Sequence, residues 1–169
     1  MLCIVMVSPM LIAFEQATVG RTCRVHRRDN DWVFAFGDSA ADGCVVTTDT
    51  LWRVVEAGRI ALTSEDHGQP FGLPAPMDVL DRCGALFAGR LARSVSVDPW
   101  TADVTIQFDR EPRLDIISSS AGYENWQAYF RHADQDMTLV GAGGGAVTCV
   151  SAPIGSNPKV FVGGPPAGA

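Results

Sequence analysis

The residues best placed to do chemistry are a paired serine, a tyrosine and an acid in one short stretch, Ser119-Ser120-Ala121-Gly122-Tyr123-Glu124-Asn125-Trp126, with His132 downstream. A hydroxyl beside an acid, with an imidazole within reach, is the minimum that nucleophilic hydrolysis needs. No G-x-S-x-G elbow surrounds Ser119 or Ser120, and paired serines in a turn ordinarily bond local backbone. The stretch therefore reads as a turn that presents Tyr123, with Glu124 and Trp126 in the strand that follows. An exposed aromatic beside an acid is typical of a binding hot spot.

Other candidate groups carry less. Gly141-Ala142-Gly143-Gly144-Gly145-Ala146 matches G-x-G-x-x-A, but strand formers Val147 to Val150 follow it. A dinucleotide fingerprint needs a helix opening at those glycines, so the run reads as a bend or bulge. His26, His67 and His132 have no metal-ligand spacing and read as surface residues. Asp98, Asp103, Asp109, Asp115 and Glu124 form an acidic series that reads as solvated strand-end charge. In a strand, Arg21 and Arg27 point to one face and Arg24 and Arg28 to the other, so they form no single basic stripe. No metal, cofactor or catalytic residue is assigned.

Bulk properties agree with this. The chain has 169 residues, 47% hydrophobic and 19% charged, with a net charge of −6 and Lys159 as its only lysine. That is one globular domain, able to bury roughly two thirds of its unfolded surface. The acidic balance disfavours nucleic acid and anionic membrane and suits a basic partner. Five scattered cysteines without a CxxC read as buried thiols in a reducing compartment, and the expected location is the cytoplasm. Residues 1–18 begin with an apolar stretch, MLCIVMVSPMLIAF, that lacks a basic leader region and is too short to span a bilayer. It reads either as a segment packed on the domain or as upstream of the functional start, with Met10 nearer the true beginning.

The elements that must position the turn follow from alternation and turn residues. Strands are expected at 20–25, 32–36, 44–48, 51–55 and 59–63, then a Gly/Pro loop, then one main helix over 76–88. In that helix Leu80, Cys83 and Phe87 share a stripe that Met77 and Leu86 widen, and Gly89 follows its end. Strands resume at 91–97, 104–108, 114–117, 124–130, 137–140 and 146–150. Residues 19–150 form the domain and 151–169 a Pro/Gly/Ala-rich tail, loosely ordered beyond Asn157.

The flanks of the helix, about 19–63 and 88–147, resemble each other. Val19-Gly20-Arg21 recurs as Ala88-Gly89-Arg90, and Asp31 to Phe36 as Asp103 to Phe108. Trp52 holds the place of Trp126, and Phe36 that of Phe108. The fold class is thus α+β: two pseudo-repeated antiparallel meanders joined by one main helix that packs on the sheet. Two meanders sharing only strand grammar are the alternative. Trp126 should be buried beneath the turn 118–122, with Glu124 held by backbone N–H groups or an arginine.

The S-S-x-x-Y-E-x-W signature of residues 119–126, preceded by the Leu51-Trp52-Arg53-Val54 strand and followed by Gly143-Gly144-Gly145, resembles a family of small uncharacterised bacterial proteins. The resemblance covers about 20–147. It implies a fold and a bacterial or phage setting but transfers no catalytic residue. By analogy it points to immunity or antitoxin-like factors. The expected function is non-enzymatic binding of a basic protein such as a toxin, with Tyr123, Glu124, Trp126, Ser119, Ser120, Trp52 and Arg53 as candidate binding residues. A small hydrolase or ligand-binding enzyme using Ser119, Ser120, Glu124 and His132 is the alternative.

Overall fold

Hydrophobic alternation resolves into eleven antiparallel strands and two helices in the computed structural model, which describes residues 4–38 and 42–155. In chain order, helix α1 (Ile4–Thr18) leads into β1 (Cys23–Arg28), β2 (Asp31–Phe36) and β3 (Cys44–Thr48). Then come β4 (Trp52–Glu56), β5 (Arg59–Thr63) and helix α2 (Val79–Phe87). The second half runs β6 (Ala92–Val97), β7 (Val104–Phe108), β8 (Arg113–Ile116), β9 (Trp126–His132), β10 (Gln135–Gly141) and β11 (Val147–Pro153). The fold is α+β. Two sheets form, one ordered β1-β2-β3-β9-β10-β11 and the other β5-β4-β8-β7-β6. Each sheet draws strands from both sides of α2.

The inner faces of the sheets meet through aromatic side chains. Trp52, fully buried, meets Trp32 edge-on at 5.0 Å and Phe34 at 5.3 Å, and Phe36 stacks on Phe108 at 6.3 Å between centroids. Such pairings add directional preference to the area buried. The helices fill the remaining gaps. Phe14 of α1 stacks on Trp126 and Phe130, while Phe87 of α2 lies 4.7 Å from Phe108.

Three expectations change. A second helix, α1, occupies the apolar N-terminal stretch, with Pro9 inside it; the segment packs on the domain, as one of the two readings had it. Helix α2 starts later than expected, because Asp78 caps it by accepting from Leu80 and Asp81 N–H. Val79 takes the fully buried place expected of Leu80, alongside Cys83 and Phe87. Strand β11 extends through Pro153, into the stretch assigned to the tail, by pairing along all of β10; residues 156–169, including those beyond Asn157, lie outside the described residues.

Cys23, Cys44 and Cys83 are buried free thiols, and burial pushes Cys44 and Cys83 up to about 12. Among the described residues no helix is long and apolar enough to cross a membrane.

The glycine run has a packing explanation. A Cβ at Gly141 would overlap the Trp126 indole, one at Gly143 would lie 2.5 Å from Gly122 N, and one at Gly145 would overlap the Trp100 carbonyl. Side-chain-free positions let the β10–β11 connection wedge between the turns at 98–103 and 117–125. A short 3-10 turn, not a phosphate-cradling helix, occupies 143–145.

Candidate functional site

The turn that carries Tyr123 is built by Asn125. This amide is 1% exposed, and its Oδ1 accepts from both Ser119 and Ser120 N–H at 2.9 Å. The Asn125 backbone N–H donates to Gly141 O at 2.7 Å, and its carbonyl accepts from Thr48 Oγ1 at 2.7 Å. One residue thus ties the β8–β9 loop to β10 and to the end of β3. Ser120 Oγ accepts from the Gly122 and Tyr123 N–H groups, closing a local serine turn. Tyr123 is left 82% exposed on this rigid support.

Beside it opens a cavity of about 590 Å³. Asp31, Asp49 and Glu124 line it against one cation, Arg28, whose side chain lies 3.9 Å from Asp31. Trp126, Gln127 and Tyr129 of β9 and the exposed Tyr123 complete its lining. The walls come from the ends of β1, β2 and β3 on one side and the 122–127 segment on the other.

A chain of hydrogen bonds orders part of this lining. The Tyr129 hydroxyl donates to Gln127 Oε1, and Gln127 Nε2 donates to Glu124. Burial pushes the Tyr129 phenol up, opposed by a hydrogen bond with Thr47, so it remains a donor at neutral pH. Glu124 is therefore held by a side-chain amide three residues away, not by backbone N–H or arginine as expected. The reason is strand geometry: Gln127 is the first residue of β9 pointing to the outer face, back toward the loop.

Trp126 points the opposite way. It is 1% exposed, donates from Nε1 to Ala102 O at 2.7 Å, and packs on Phe14 and Gly141. It closes the inner end of the sandwich, its bonded cover coming from Ala102. Trp52 is likewise core, and its Nε1 finds no hydrogen-bond partner among the described residues. Arg53 lies on the outer face of the other sheet, against Asp115.

The alternative hydrolytic group is not brought together. Ser119 and Ser120 precede β9, whereas His132 is its last residue, about 20 Å further at 3.3 Å per residue. His67 is no simple surface histidine: its Nδ1 accepts from Val79 N–H and its ring meets Trp32 edge-on at 5.6 Å. His26 is half-buried, and burial together with Arg28 and Arg24 holds it below its usual value. No group of three or more potential metal ligands converges among the described residues.

The acidic series divides by role. Asp98 accepts from Trp100 and Thr101 N–H, and these bonds lower it. Asp103 accepts from Ser118 N–H and Asp109 from Leu91 N–H. Asp115 departs from the solvated reading: it sits within β8 and is 4% exposed.

Sequence reasoning missed Asn125, Arg28, Asp31, Asp49, Gln127 and Tyr129. The signal for the last two was available, since β9 alternation puts Gln127, Tyr129 and Arg131 on the face opposite Trp126. No protein-family model matches this chain, and no curated protein or solved structure matches it either.

Proposed function

We propose that this is a non-enzymatic bacterial binding protein of the immunity or antitoxin kind, and that it seats a cationic side chain of a basic partner in the cavity beside Tyr123. The observation that carries this reading is Tyr123, 82% exposed in the lining of a cavity where three carboxylates face one arginine. Exposed tyrosine on a rigid turn offers contact area at low entropic cost. A guanidinium or ammonium entering beside it meets a ring face and carboxylates together. The net charge of −6 adds long-range attraction for such a partner.

The same proposal includes an internal duplication. Supporting it, β1-β2-β3 and then β4-β5 in the first half answer to β6-β7-β8 and then β9-β10 in the second. Cys23 pairs with Phe36 as Ala92 pairs with Phe108, and Trp52 faces Ile116 across strands as Trp126 faces Thr48. Gly37 N–H donates to Thr22 O as Asp109 N–H donates to Leu91 O, and Thr22 and Leu91 bridge each other. On this reading the first copy lends β4 and β5 to the other's sheet and the second lends β9 and β10, with β11 added beyond the repeat. The two copies differ in their loops, and the β8–β9 loop, longer than its counterpart between β3 and β4, carries Tyr123.

Titration of the full chain with N-acetylated, C-amidated tetraarginine, followed by amide resonances, tests the site. Saturable shifts should centre on 122–127, and Tyr123→Ala should weaken binding about tenfold without moving the melting temperature. Co-expression with the product of the adjacent gene tests the biology: relief of its toxicity that Tyr123→Ala abolishes is the expected result. Tetraarginine shifts elsewhere on the molecule, or unchanged binding by the Tyr123 variant, would overturn the assignment.

A further inference from the structure

The outer face of the β5-β4-β8-β7-β6 sheet carries a charge cluster that the cavity does not use. Across one row, cross-strand pairing places Thr63, Arg53, Asp115, Thr105 and Ser96 side by side. Asp115, with a side chain only 6% exposed, sits at the centre. Its Oδ2 accepts from Arg53 Nε at 3.0 Å and from Arg113 Nη2 at 3.0 Å. Its Oδ1 accepts from Arg113 Nε at 2.8 Å and from Thr105 Oγ1 at 3.3 Å. Four donors satisfy this carboxylate. The two arginines are 39% and 40% exposed.

Two guanidiniums against one carboxylate leave this cluster with one net positive charge on an acidic protein. Among the described residues, Arg53 uses only its Nε–H, so both its terminal nitrogens keep their donors, and Arg113 Nη1 keeps its own. A buried acid that fixes two guanidiniums while their outer edges stay open is a pre-organised oxyanion receptor. The fork geometry of arginine suits a carboxylate bidentately, and a carboxylate monoanion cancels the residual charge where a phosphate dianion would overshoot it. A sheet face is a platform, not a concave pocket of the kind that encloses small molecules, and protein interfaces enrich arginine in this way.

We infer that Arg53 and Arg113, held by Asp115, form a second binding surface that takes the carboxylates of an acidic polypeptide segment. This surface is separate from the cavity beside Tyr123 and opposite to it in charge, so the inference does not rest on the function proposed above.

The test is titration of the full chain with N-acetylated, C-amidated tetraglutamate, observing the Nε–Hε resonances of Arg53 and Arg113. Tetraglutamine and inorganic phosphate run in parallel. Saturable shifts of both resonances with tetraglutamate are expected, shrinking as ionic strength rises from about 0.05 to 0.2 M. Arg53→Gln should weaken the interaction about tenfold, and Arg53→Lys, which keeps charge but loses the fork, should fall between. Arg113 still pairs with Asp115 in both variants, and circular dichroism checks that they fold. Absent or non-saturable shifts, equal shifts with tetraglutamine, or stronger shifts with phosphate would each overturn the inference. Shifts that grow with protein concentration alone would mean a second copy occupies the face, which would overturn it too.

Discussion

Gly141→Ala and Trp126→Ala, alone and together, probe how the loop end of the sandwich is locked. The Trp126 indole fills the space that a Cβ at position 141 would need. It also donates to Ala102 O at 2.7 Å and stacks on Phe14 at 6.3 Å. Truncating a tryptophan that is 1% exposed should cost about 3–5 kcal/mol. For a domain of this size that lowers the melting temperature by about 6–20 °C. Gly141→Ala overpacks the same contact and should cost about 1–3 kcal/mol in the parent. In the Trp126→Ala background the obstructing ring is gone, so the added methyl should cost almost nothing, a coupling of about 1–3 kcal/mol between the sites. Urea unfolding of all four proteins by far-ultraviolet circular dichroism measures the cycle. Additive costs would refute the close-approach account of Gly141, and a Trp126→Ala variant that melts like the parent would refute its place in the core.

Two further predictions concern the loop and the outer face. Asn125→Ala removes the acceptor of two backbone N–H groups in a buried setting and should destabilise the protein by about 1–3 kcal/mol, read by urea unfolding, while raising amide exchange at Ser119 and Ser120. His26 has a folded-state value held below the ordinary 6.5 by burial, Arg28 and Arg24, so protonation favours the unfolded chain. Stability should be complete above pH 6.5 and decline as pH falls through that value toward the lower folded-state one. Denaturant midpoints measured across this range should flatten in His26→Gln, and an unchanged slope would remove His26 as the cause.

Much of the architecture was legible because short strands with alternating burial and Asp, Asn or Gly turns leave a period-two trace. Val104 to Phe108 shows this plainly, with Val104, Ile106 and Phe108 buried and Thr105 and Gln107 between them less so. Helix α1 was not legible: from Ile4 to Phe14 its sequence is apolar but for Ser8 and includes Pro9, so neither a stripe nor a clean start marked it. Tyr123 was readable as a turn aromatic, but its support was not. Asn125 acts through bonds to Thr48 and Gly141, and such long-range partners leave no local pattern. The Arg53–Asp115–Arg113 cluster was half-legible, since alternation puts Arg113 and Asp115 on one face, but only the β4–β8 register adds Arg53.

The interleaving of the sheets has a consequence for synthesis. Strand β3 takes β9 as its neighbour, and Thr48 is bonded to a residue 77 positions later. At a translation rate of about 5–20 residues per second, that partner emerges roughly 4–15 s after β3 does. Until then one edge of β3, with its row Cys44 to Thr48, has only β2 beside it and remains open to pairing with other nascent chains. The protein in the making is thus more aggregation-prone than the finished one, and chaperone supply during expression should govern its yield more than the stability of the completed fold.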